Sequence, residues 1–191
     1  MISASGALQR LKAGNRRFVA EERDENKATS AQRRAELIAC QEPCAIILGC
    51  SDSRVPVEMV FDQGLGDLFV IRVAGNIATA TQMGSVEFAA QSLGTRLVVV
   101  LGHSECGAIQ ATLEDWAQPA EESTASSIGA VVDSVRPGLE TLLAGAAGET
   151  PESLLGRAIR ANISTSTHHL RHGSKTLERL IEEDGLLVIG A

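Results

Sequence analysis

Two short apolar runs constrain this chain more than anything else in it. Ala45-Ile46-Ile47-Leu48 and Leu97-Val98-Val99-Val100-Leu101 carry no polar side chain. Runs that short and without alternation are the mark of strands covered on both faces, as in a parallel sheet flanked by helices. Each run is followed at once by reactive residues. The first delivers Cys50-Ser51-Asp52-Ser53-Arg54, the second Gly102-His103-Ser104-Glu105-Cys106-Gly107. With the two strands side by side, Cys50, His103 and Cys106 meet at one edge of a sheet.

The rest of the chain alternates in the same way. Residues 68–73 and 186–189 read as two further strands, and Pro56 and Glu58 open a short helix that ends near Phe61. Residues 81–93 read as a helix closed by Gly94, which suits the left-handed position past a helix end. Residues 128–143 are helical with a break at Pro137-Gly138, and 117–128 form a polar loop. Thr150-Pro151 is an N-cap followed by proline in the first helical position, opening one long helix or two that run to about Asp184. Such alternation predicts an α/β fold, mainly a parallel β-sheet flanked by helices. Ahead of the first strand, residues 1–40 read as a helical arm. Leu8, Leu11, Phe18 and Val19 recur at helical spacing, and Thr29 with Gln32 makes a capping box for a second helix. Because it precedes the first strand, this arm is expected to pack away from the sheet core, on a partner subunit. The 191 residues suffice for a single domain, with the arm at 1–40, the core and both motifs at 45–110, and the C-terminal helices and last strand at 150–191.

Composition removes several function classes. A formal charge of −7 argues against a nucleic-acid partner, which needs a basic face. No stretch approaches the ~18 consecutive apolar residues of a membrane span. Four cysteines without a secretory signal read as thiols or metal ligands in a reducing compartment, so the cytoplasm is the expected location.

Cys50, His103 and Cys106 are a zinc-type donor set of two thiolates and an imidazole. Three protein ligands and an open fourth position belong to catalysis, four closed ligands to structure. Asp52 is near enough in sequence to be that fourth ligand, or to accept a hydrogen bond from a water in its place. Arg54 can make a charge-assisted pair with Asp52, which would hold the carboxylate off the metal; a broken pair would let Asp52 close the site. A structural zinc knuckle is the rival, but it would pair two close-spaced motifs, and the first half here offers Cys-x-Asp. Cys40 and Cys44 have no ligand partner in range and are expected to be small buried hydrophobes. Gly102 to Gly107 has the glycine spacing of a phosphate loop but lacks the Lys-Ser/Thr that must follow. His168, His169 and His172 read as a polar helix face, with Arg171 among them.

Together Cys50-Ser-Asp-Ser-Arg54, Val55-Pro56, the strand entry Gly66-Asp67-Leu68-Phe69-Val70, Arg72 through Asn76, and Gly102-His103-Ser-x-Cys106-Gly107 resemble the β-class carbonic anhydrases. The likeness runs from about Leu8 to the last strand and is weakest over 115–155. It implies zinc-dependent, reversible hydration of carbon dioxide to bicarbonate by attack of a zinc-bound hydroxide. It implies one Zn2+ per chain on Cys50, His103 and Cys106. Asp52 and Arg54 would form the dyad that orients the hydroxide, with Asp52 as ligand in a closed state. Gln41, Phe69 and Phe88 fall where the plant-like branch binds substrate, although Phe88 replaces the tyrosine usual there, and the Gly107 N–H would contact substrate. The branch that bicarbonate locks shut carries a tryptophan where this chain has Ile47, so the plant-like, non-allosteric form with an open site is expected, although Arg72 matches an arginine of that branch's pocket. A homodimer or higher homo-oligomer is implied, with no residue standing out as a proton shuttle. The chain stops after its last strand, where relatives continue, which implies a shortened form. Two other readings stay open: a hydrolase of carbonyl sulfide or carbon disulfide, and a non-catalytic zinc scaffold.

Overall fold

The computed structural model describes residues 2–23, 31–117 and 127–191. Four strands, β1 (Ala45–Gly49), β2 (Leu68–Arg72), β3 (Leu97–Leu101) and β4 (Leu187–Gly190), form one sheet in the order β2-β1-β3-β4. Every neighbouring pair is parallel. The helices, in chain order, are α1 (Ala4–Val19), α2 (Ala31–Ala39), α3 (Val57–Val60), α4 (Ala80–Ser92), α5 (Gly107–Ala117), α6 (Ser127–Val135), α7 (Glu140–Ala144), α8 (Pro151–His172) and α9 (Lys175–Glu183). Among the described residues the mainly parallel α/β architecture expected from the sequence is the one present. Thr29 of the expected capping box, and most of the polar loop, lie outside the described residues. No described helix is long and apolar enough to cross a membrane.

Both sheet faces are covered, which is why β1 and β3 are apolar throughout. Ile46, Leu48, Val98, Val100 and Val188 share one face with Val86, Ala89 and Ala90 of α4, Leu170 of α8, and Leu177 and Leu180 of α9. Ala45, Ile47, Leu97 and Val99 share the other with Ala7 and Leu11 of α1 and Val57 of α3. The caps follow the sequence. Thr150 Oγ1 accepts from the Ser153 N–H at 3.3 Å to start α8, and Gly94 lies at φ +69° just past α4.

The expectation that the N-terminal arm avoids the sheet is wrong for its first helix. α1 lies on the second face of the sheet, with Ala7 and Leu11 each 1% exposed. Its inward stripe is Ala7, Leu11 and Gly14, and the small residues at either end bring the helix close. A Cβ on Gly14 would stand 1.8 Å from the Phe61 carbonyl oxygen, and the adjacent Asn15 Nδ2 donates to the Val60 carbonyl at 3.1 Å. Gly14→Ala is therefore expected to lower stability by about 2 kcal/mol or more through overpacking, read as a lower urea midpoint at unchanged slope. None of the residues of α2 is buried, and Ile38 is 87% exposed.

Candidate metal centre

The strand order places the switch in winding direction between β1 and β3, and ligands of open parallel sheets bind beyond the C-terminal ends of the strands there. Gly49 of β1 stands in register with Leu101 of β3, so both chains leave the sheet side by side. From this edge Cys50 follows β1 directly. On the other side, Gly102 passes against α8, where a Cβ would meet Ile163 Cδ1 at 2.4 Å. The chain then turns through Glu105 at φ +53°, and Cys106 caps α5, its carbonyl accepting from the Gln110 N–H at 3.0 Å.

These elements bring one ligand atom each from Cys50, His103 and Cys106 to within 4.8 Å of one another. The two cysteines are free thiols, 7% and 1% exposed. Such spacing suits the faces of a Zn2+ tetrahedron built from Zn–S bonds of ~2.3 Å and a Zn–N bond of ~2.0–2.1 Å.

The imidazole supplies an independent test of fit. His103 Nδ1 lies 2.8 Å from the Ser104 carbonyl oxygen, which can only accept, so Nδ1 carries the proton. Nε2 is left as a lone pair, buried and without a hydrogen-bond partner. An orphaned buried acceptor facing two thiols is what a metal ligand looks like without its metal. One of the sulfurs is prepared as well. A hydrogen bond from the Cys106 thiol holds Cys50 down to about 4, against the effect of burial, with the N–H groups of Asp52 and Gly75 adding to it. The same bond, together with burial, pushes Cys106 up.

Asp52 stands beside this set and is held by Arg54. Arg54 Nε donates to Oδ1 at 2.9 Å and its NH2 group to Oδ2 at 2.7 Å, while the Arg54 backbone N–H also reaches Oδ1 at 2.9 Å. These bonds keep the Asp52 carboxyl well below the usual carboxylate range and raise Arg54. Asp52 Oδ2 is 3.9 Å from His103 Nε2. Arg54 also donates to the Glu105 carbonyl at 2.9 Å, tying the first motif to the second. A second arginine braces the loop from below: Arg72 Nε donates to the Cys50 carbonyl at 2.9 Å and its NH2 group to the Asp52 carbonyl at 2.6 Å.

Other residues named from the sequence fall elsewhere. Gly107 opens α5, and a Cβ there would meet nothing within 4 Å, so there is free space beside the cluster. Gln41 is exposed and precedes β1, at the end of the sheet opposite Cys50. Phe69 pairs in register with Ile46, about 13 Å of strand from Cys50. Phe69 and Phe88 face each other at 6.1 Å on the outer edge of the sheet, with Phe88 51% exposed. One chain by itself therefore does not bring Gln41, Phe69 and Phe88 to the cluster. Cys44 is buried as expected, but Cys40 is exposed, because it lies in the extended link between α2 and β1. His168, His169 and His172 lie on an exposed face of α8.

The class this defines is a thiolate–imidazole metal site with a carboxylate–guanidinium pair beside it, at the C-terminal edge of a doubly wound parallel sheet. A family model described as carbonic anhydrase matches residues 45–191, and the chain belongs to the β-class carbonic anhydrase family. Carbonic anhydrase 2 of Mycobacterium tuberculosis is 50% identical over 107 residues, covering 56% of this chain and 51% of that protein. The carbonic anhydrase of Mycolicibacterium smegmatis is 49% identical over 107 residues, 56% of this chain and 52% of its own. The matches thus span about half the length of these curated relatives. Among solved structures, the β-carbonic anhydrase CcaA has a TM-score of 0.75 at 25% identity, covering 96% of this chain and 88% of that one. A tetrameric β-carbonic anhydrase of Sordaria macrospora has a TM-score of 0.73 at 21% identity, covering 96% and 89%, a likeness of fold.

Proposed function

We propose that this chain catalyses the reversible hydration of carbon dioxide to bicarbonate, with one Zn2+ per chain held by Cys50, His103 and Cys106. The observation that carries the reading is the buried, unpartnered His103 Nε2 facing two thiols within 4.8 Å. Bound Zn2+ lowers the pKa of a water from ~15.7 towards ~7 and so supplies a nucleophile at neutral pH. The chain's own residues do the rest. Arg54 keeps Asp52 ionised and bonded to the guanidinium, so the carboxylate would stay beside the ligand set without joining it. Asp52 Oδ2, 3.9 Å from His103 Nε2, would accept a hydrogen bond from the attacking water and orient it. Arg72 holds the Cys50 and Asp52 carbonyls, so sulfur and carboxylate keep one spacing. The Gly107 N–H borders the open space in which carbon dioxide would lie.

The functional unit is a single domain acting as a homodimer or larger homo-oligomer. Support comes from the exposed α2, with Ile38 at its surface, and from the exposed Phe88 that packs on the half-buried Phe69. Gln41, Phe69 and Phe88 would then line the cluster of a second copy. A reducing cytoplasm suits a site built on two free thiols.

Stopped-flow hydration of carbon dioxide by zinc-quantified protein tests the activity, with carbonyl sulfide and carbon disulfide assayed in parallel. Fast turnover of carbon dioxide is expected. One zinc per chain with turnover of the sulfur gases alone, or of none of the three, would overturn the reading. Light scattering tests the assembly, and a monomer at micromolar concentration would remove the role given to Gln41, Phe69 and Phe88.

A further inference from the structure

Asn162 sits in the middle of α8 and is only 3% exposed. A carboxamide so deeply buried is costly unless it is paired. Its Nδ2 donates to the Gly75 carbonyl at 2.7 Å, a contact between residues 87 apart in the chain. Gly75 itself is buried in a 3₁₀ turn (Ala74–Asn76) and lies in the left-handed region, at φ +70° and ψ 16°. A Cβ there would be strained and would stand 3.2 Å from Ala108 Cβ. In that conformation the Gly75 N–H donates to Cys50 Sγ at 3.4 Å. One residue thus has its carbonyl held by α8 and its amide pointed at a sulfur of the metal centre.

We propose that Asn162 is a positioning residue for the metal centre: by fixing Gly75 in its left-handed conformation it aims the Gly75 N–H at the Cys50 sulfur. The proposal rests on the metal reading above and goes one step beyond it. A glycine can leave that conformation more freely than any other residue, so something must select it. The Asn162 amide does so from the same helix that packs against Gly102, next to His103. An N–H donor on a thiolate draws charge away from the sulfur, so it sets how much charge Cys50 gives a metal. Partners that orient metal ligands in this way are worth about 10- to 100-fold in metal affinity.

The test uses the full chain loaded with cobalt(II), reading the thiolate-to-metal charge-transfer band, with zinc affinity measured by chelator competition. In Asn162→Ala the Cys50 sulfur becomes more electron-rich. The band is expected to move to longer wavelength and zinc binding to weaken about tenfold. Ser166→Ala, at a 2% exposed position on the same helix, is the control for a merely structural effect. It is expected to lower thermal stability and leave the band in place. An unmoved band and wild-type affinity in Asn162→Ala would overturn the proposal, as would equal shifts in Ser166→Ala. A wild-type chain that binds no cobalt would overturn the metal reading, and this inference with it. Should Asn162→Ala not fold, wild-type protein loaded with 113Cd gives the answer. The Gly75 amide proton is expected to show through-bond coupling to the metal, and absence of that coupling would overturn the assignment.

Discussion

Cys106→Ala is expected to empty the site: after dialysis the zinc content falls from one per chain to near zero, and carbon dioxide hydration falls to background. Cys106 is 1% exposed and caps α5, where the Ile109 and Ala108 N–H groups counter the rise that burial gives its thiol. It is thus a thiolate ligand placed at the electropositive end of a helix. Four-ligand zinc sites bind with about 10–16 kcal/mol, so one ligand carries on the order of 3 kcal/mol, more than a hundredfold in affinity. Cys50 and His103 would be left as a two-ligand site too weak to survive dialysis. Alanine removes only the sulfur from a small buried position, so the chain should still fold, and circular dichroism would show it. Cys40→Ala is the matched control, because Cys40 is exposed and outside the cluster; it should keep its zinc. Zinc retained in Cys106→Ala would end the ligand assignment.

What the sequence made legible here was whatever is local. β1 and β3 could be seen because strands buried on both faces leave unbroken apolar runs, and the metal motifs because each occupies a few residues after such a run. Thr150-Pro151 marked the start of α8 because cap chemistry lies within three residues of the cap. The place of α1 was misjudged for a physical reason. Its fully buried stripe is Ala7, Leu11 and Gly14, with one large apolar side chain among them, so the burial of this helix leaves little apolar signal in the sequence. Arg72 and Asn162 escaped detection as supports of the site for another reason. Each acts on a backbone atom, 20 or more residues away in every contact described above. A backbone carbonyl leaves no trace in a sequence. Gly75 belongs to the stretch from Arg72 to Asn76 that carried the family resemblance, yet nothing in those letters says its N–H faces a sulfur. Gln41, Phe69 and Phe88 came from that resemblance alone, and one chain leaves them far from Cys50.

Asp52→Asn separates holding the metal from using it. Asparagine keeps the shape of aspartate but carries no charge, and one of its two polar atoms donates where both carboxylate oxygens accept. In the wild-type chain Oδ1 takes two bonds from Arg54, and Oδ2 takes one while standing 3.9 Å from His103 Nε2. Asp52 is not among the three clustered ligand atoms, so zinc content should not change. Turnover should fall by about 10²–10³-fold, the usual scale for losing one preorganised hydrogen-bonding partner of a reacting group. The pH dependence sharpens the test. Arg54 holds the Asp52 carboxyl well below the usual range. A depressed pKa means that the ionised form is lost only as pH falls through that low value, so Asp52 is charged throughout neutral and alkaline assays. The deficit of Asp52→Asn should therefore be the same at about pH 7 and at about pH 8.5. A deficit that vanishes at the lower pH, in a wild type already silent there, would mean that Asp52 leaves Arg54 and closes on the metal near neutrality. A fully active Asp52→Asn would remove Asp52 from the mechanism, and with it the need for Arg54 to hold it.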